Sequence, residues 1–153
     1  MHLSEVIQKD MVWPELISSS KDEVLRELTR LVAHSLAALE ESALYGALTE
    51  REKLGSTGVE DGIAIPHAKV PGIDRIVLAC GRSVRGLDFE AHDGNPTHLF
   101  FVLLAPANAA GMHLKVLARL SRLLKEARVR ARLMAAASGD ELYNAIIDED
   151  EKL

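Results

Sequence analysis

Cysteine is nearly missing from this chain. One residue, Cys80, among 153 excludes an internal disulfide and a zinc site built on thiolates, and it fits a reducing compartment. Aromatic residues are only 4%, which argues against a surface that stacks bases. Positive charge is in deficit: 18 Lys and Arg face 23 Asp and Glu, for a net charge of -5. A nucleic-acid binder that neutralises phosphates carries the opposite sign. No basic segment followed by an apolar run opens the chain, which begins MHLSEVIQKD. No stretch nears the ~18 consecutive apolar residues of a membrane span. The longest apolar run, Leu99 to Ala105, has the length of a strand. A cytoplasmic chain with no nucleic-acid partner and no membrane insertion is the default expectation.

Several catalytic motifs are missing too. The glycine loop Gly55-Ser56-Thr57-Gly58 is not followed by Gly-Lys-Ser/Thr, so nucleotide hydrolysis has no support. There is no His-Glu-x-x-His pair and no Gly-x-Ser-x-Gly elbow. No metal or cofactor is expected from the spacing of potential ligands.

What is present fits one globular unit over residues 1–153, with 48% hydrophobic and 27% charged residues. The expected core covers about residues 3–147, followed by an acidic tail at 148–153. Val24, Leu25, Leu28, Leu31, Val32, Leu36 and Leu39 form a helical stripe, and Ser20 with Glu23 makes a capping box that starts it near Lys21. His34 falls on the opposite, solvent face. A shorter helix is expected from Glu41 to about Arg51, then a loop over residues 55–62. Ile63-Ala64-Ile65-Pro66 reads as a short strand that the proline ends. Arg75 to Gly81 and, separately, Ser83 to Phe89 read as strands, and a turn is expected around His92. His98 to Ala105 is apolar on both faces and should be central. Helices are expected from Met112 to Ala127, from Arg128 to Ala136 and from Ser138 onward. Trp13, just before Pro14, is expected to be a packing residue. The pattern predicts an α/β fold with both faces of the sheet covered.

Three residues suggest chemistry. His67 follows Pro66, whose fixed φ stiffens the backbone that carries it. Taken alone, it reads first as a strand-end histidine that caps a turn. His113 stands at the start of an expected helix, where the dipole disfavours imidazolium and favours a nearby anion. Arg51 precedes the Gly55–Gly58 loop, and a guanidinium beside backbone amides suits a phosphoryl group. Cys80 lies inside an apolar strand and reads as a small core residue. Charge is uneven: Lys115, Arg119, Arg122, Lys125, Arg128, Arg130 and Arg132 precede Asp140, Glu141, Asp148, Glu149, Asp150 and Glu151. Solvated surface and steering of a protein partner are both open readings of that asymmetry.

Four stretches in this order, REKLGSTG, GIAIPHAK, HLFFVLLAP and HLKVLARL, carry a resemblance. From about Leu3 to Ile147 the chain resembles the enzyme IIA family of the bacterial phosphoenolpyruvate-dependent sugar phosphotransferase system. The resemblance is to the fructose/mannitol class, and within it the chain looks most like the nitrogen-regulatory branch. The resemblance implies a mixed β-sheet flanked by helices on both faces. It implies that His67 accepts a phosphoryl group from an HPr-type carrier, with His113 and Arg51 stabilising it. The amides of Gly55, Ser56, Thr57 and Gly58 are candidate phosphoryl donors of hydrogen bonds. The acceptor would be a regulatory target protein or a IIB domain. A binding module that no longer carries phosphate, and a metal-dependent hydrolase using His67 and His113, are the rival readings.

Overall fold

A computed structural model describes all residues from Met1 to Leu153. Its elements are β1 (Ile7–Trp13), α1 (Lys21–Ser35), α2 (Glu41–Lys53), β2 (Ile63–Ala64), β3 (His67–Lys69), β4 (Val77–Leu87), β5 (Thr97–Ala105), α3 (Ala110–Leu124), α4 (Ala127–Ala135) and α5 (Gly139–Glu151), after one 3-10 turn at Leu3–Glu5.

The sheet runs β1-β4-β5-β2, with β3 also paired to β5. It is mixed: β4 and β5 are antiparallel, while β1 lies parallel to β4 and β2 and β3 parallel to β5. Residues of β5 alternate between two cores. Leu99, Phe101, Leu103 and Ala105 join Val116, Leu120, Leu133, Leu142 and Ile146 from α3, α4 and α5. Phe100, Val102 and Leu104 join Val24, Leu28, Val32, Leu44 and Leu48 from α1 and α2. Helices therefore cover both faces of the sheet, as its apolar central strand requires.

The helix starts follow the sequence signals. Ser20 Oγ accepts from the Glu23 amide at 3.3 Å, and Ser138 Oγ from the Glu141 amide at 3.1 Å. The first stripe outruns its helix: Leu36 is the C-cap of α1, and Leu39 lies beyond it yet stays buried.

Four expectations need correction. The expectation that helices come before the strands misses the edge strand β1, whose alternation Gln8, Lys9 and Asp10 hide; Trp13 ends that strand and does pack against the core. The strand does break at Ile65–Pro66, as the proline implies, but Pro66 does not end the association with β5. It has no N–H, but its carbonyl accepts from Leu103 N at 2.9 Å, and the ladder resumes with His67 opposite Leu103. The segments at 75–81 and 83–89 are one strand, β4, with a register shift between Arg82 and Leu87. The acidic end is no free tail. It is the last turn of α5, and Glu149 and Asp150 are buried.

That last turn also accounts for part of the charge asymmetry. Arg128 and Arg132 each place a guanidinium nitrogen 2.8 Å from the Glu149 carboxylate, and Arg119 Nε lies 2.5 Å from Asp150. The second oxygen of Asp150 accepts from the Leu3 amide at 2.8 Å. Arg119, Arg128 and Arg132 are therefore paired within the molecule, while Lys115, Arg122 and Lys125 form no ion pair. No helix is long and apolar enough to cross a membrane.

Candidate phosphoryl-transfer site

His67 sits on β3, which pairs with β5 on one side only. Its partner across the ladder, Leu103, belongs to the core under α3, so the imidazole faces that layer. At this edge the two helical layers approach one another. α2 brings Arg51 from one side, and α3 brings His113 from the other. The three predicted residues meet in one open cleft of about 630 Å³, which is also lined by Glu50, Leu54, Lys69 and Leu114.

Both ring nitrogens of His67 are engaged. Nδ1 lies 2.7 Å from the carbonyl oxygen of Ile65. A carbonyl can only accept, so Nδ1 holds the hydrogen and Nε2 keeps the free electron pair. Arg51 Nε donates to that Nε2 at 3.2 Å, and Arg51 Nη1 donates to the carbonyl of Gly55 at 2.9 Å.

The ring of His113 lies 5.3 Å from that of His67, edge to face with a 72° angle between planes. His113 is buried, not the exposed residue that its place near a helix start would allow, and its Nδ1 has no hydrogen-bond partner. Burial, then the nearby His67 and Lys69, hold its pKa below the ordinary histidine value. The positive end of α3 acts in the same direction.

The loop at Gly55–Gly58 does not line the cleft. Its amides turn inward: Gly55 N donates to Glu52 O, Thr57 N to the Glu52 carboxylate and Gly58 N to Ser56 Oγ. Ser56 Oγ itself donates to Phe89 O. The loop reaches the site through the Gly55 carbonyl instead. Sequence reasoning missed Lys69, although it stands two residues after His67 on a strand and so shares its face. It also missed Leu54 and Leu114, 84% and 66% exposed, which give the cleft an apolar rim.

The remaining histidines and Cys80 lie elsewhere. His98 Nδ1 is 3.0 Å from Ser83 O, His92 Nε2 is 2.9 Å from Ser56 O, and His34 is exposed. Cys80 is fully buried, and burial pushes its thiol up to about 12. No three His, Cys, Asp or Glu side chains converge as metal ligands do.

Known proteins share this arrangement of sequence and fold. The chain is 38% identical over 146 residues to the nitrogen regulatory protein of Bradyrhizobium diazoefficiens, covering 95% of each. It is 34% identical over 151 residues to the fructose-specific EIIABC component of Bacillus subtilis, covering 99% of this chain but 24% of that one. The crystal structure of nitrogen regulatory protein IIA-Ntr from Neisseria meningitidis superposes with a TM-score of 0.87 at 32% identity, over 94% of this chain and 98% of that one. The fold also matches IIA mannitol of Escherichia coli, solved in complex with phosphorylated IIB mannitol, with a TM-score of 0.76 at 20% identity over 92% and 98% of the two chains. The family model for the phosphoenolpyruvate-dependent sugar phosphotransferase system, EIIA 2, matches residues 5–149, and the chain belongs to that family.

Proposed function

We propose that His67 is the phosphoryl acceptor, that an HPr-type carrier supplies the group, and that the whole chain works as one regulatory phosphocarrier. The observation that carries this is the Nδ1 contact with Ile65 O, which leaves Nε2 as the nucleophilic nitrogen. The Nε2–phosphorus bond forms as the donor's nitrogen–phosphorus bond breaks, and the donor imidazole leaves with the electron pair. Arg51 first gives up its hydrogen bond to Nε2. Its guanidinium then serves the phosphoryl oxygens while Nη1 keeps its hold on Gly55 O. His113, its Nδ1 buried without a partner, is best served by the tautomer with hydrogen on Nε2, which offers a neutral donor to the cleft. Leu54 and Leu114 give a carrier protein apolar contact around the reacting nitrogen.

The regulatory role rests on likeness to the nitrogen regulatory proteins. A second reading, transfer to a IIB domain during sugar uptake, rests on the fructose-specific relative at 34% identity. Efficient transfer to a purified IIB domain would favour it. The first test is intact mass after incubation with phosphoenolpyruvate, enzyme I and the carrier. We expect one acid-labile phosphoryl group on the wild type and none on His67→Ala. Uptake by the variant, or none by the wild type beside a competent carrier, would refute the assignment.

A further inference from the structure

Glu52 follows Arg51 on α2, yet it does not line the cleft. Its side chain is 6% exposed. The carboxylate accepts from the Thr57 amide at 3.1 and 3.3 Å and from the Thr57 hydroxyl. Lys21, the first residue of α1, brings its ammonium to 3.0 Å and lies 4.7 Å over the Phe89 ring. A buried carboxylate is costly unless it is paired and hydrogen-bonded, and this one is both.

Two routes lead from the loop that Glu52 grips to the ring of His67. Thr57 O accepts from Ile65 N at 3.0 Å, and the carbonyl of that same Ile65 holds His67 Nδ1. At the other end of the loop, Gly55 O holds Arg51 Nη1, and Arg51 Nε reaches His67 Nε2. Each ring nitrogen is thus tied to the loop through one intermediary residue. Lys21 adds something a neutral anchor would not need: it cancels a negative charge placed one residue from the arginine that would meet a phosphoryl group.

We infer that Glu52, paired with Lys21, is the positioning residue of this site, fixing the tautomer and aim of His67 through Thr57. It touches no reacting atom. The inference rests on the reading that His67 is the acceptor, but its test does not depend on that reading alone.

Nitrogen-15 NMR of the His67 ring reports the tautomer without any phosphoryl donor. The wild type should show hydrogen on Nδ1. Glu52→Gln should shift the ring toward a mixture with hydrogen on Nε2 and slow phosphoryl uptake about tenfold or more, the order expected of a misaimed reacting group. Thr57→Val should do the same to a smaller degree, and Thr57→Ser should restore wild-type behaviour. Thr57→Val keeps the Glu52–Lys21 pair, so it decides the question should Glu52→Gln not fold. Variants that melt cooperatively with an unchanged tautomer and rate would overturn the inference. A wild type that takes up no phosphoryl group would instead sink the reading of His67, and the tautomer measurement would still judge Glu52.

Discussion

His113 shows how position alone tunes a side chain. Burial, His67 and Lys69 all disfavour its charged form. The folded state therefore binds fewer protons there than the unfolded chain, whose histidines titrate near ~6.5. This contribution to stability is intact above that pH and is lost as acid takes the pH down through the lower folded value. NMR titration should place the His113 midpoint below that of a free histidine, and a midpoint at or above it would contradict the burial argument. His113→Ala should slow phosphoryl uptake on the order of 10²-fold without abolishing it, as loss of one charge-stabilising donor does. Arg51→Ala should slow uptake with little change in thermal midpoint, since its side chain bonds only His67 and the Gly55 carbonyl. A large drop in that midpoint would make Arg51 structural instead.

The elements explain what could and could not be foreseen. Helices with a continuous stripe and a serine cap were legible, and so was β5, because both patterns are local. The strand β1 was not. It is paired on one side only, and its polar run Gln8-Lys9-Asp10 breaks the two-residue alternation. Pro66 misled for a related reason: it removes a donor, while the pairing uses its carbonyl. The three residues of the site were legible as types in motifs. Their meeting was not, because it depends on two helical layers reaching one sheet edge. Arg82 on β4 was silent in the sequence as well. It is buried without a carboxylate and donates to Pro14 O, Leu133 O, Met134 O and Ala136 O, at 3.0, 2.9, 3.3 and 2.7 Å. It thereby closes the C-terminus of α4 and ties that helix to the chain after β1. Replacing it with Met should cost more than about 2 kcal/mol, because buried carbonyls lose their donor. Urea unfolding measures this, and a loss within experimental error would deny Arg82 that role.

At the scale of the molecule, part of the charge asymmetry is spent on holding the ends in place. Arg128 and Arg132 draw the Glu149 carboxyl down to about 2. A depressed carboxyl pKa adds stability that is whole above the unfolded value near ~4.3 and fades as the pH falls through the folded one. Thermal melts between those two values should therefore show a downward slope that Glu149→Gln flattens. An equal slope in both proteins would mean that these ion pairs contribute nothing. The neighbouring carboxylate, Asp150, has another consequence. It holds the amide of Leu3, so the first and last turns of the chain lie side by side. Residues 3 and 150 are thus neighbours in space though 147 positions apart in the chain. A circular permutant that joins residues 153 and 1 and opens at the exposed turn Asp93–Asn95 should keep the sheet order, and its phosphoryl uptake measures whether the surroundings of His67 are kept as well. Uptake equal to that of the uncut chain would show that the cleft around His67 does not depend on where the thread is cut.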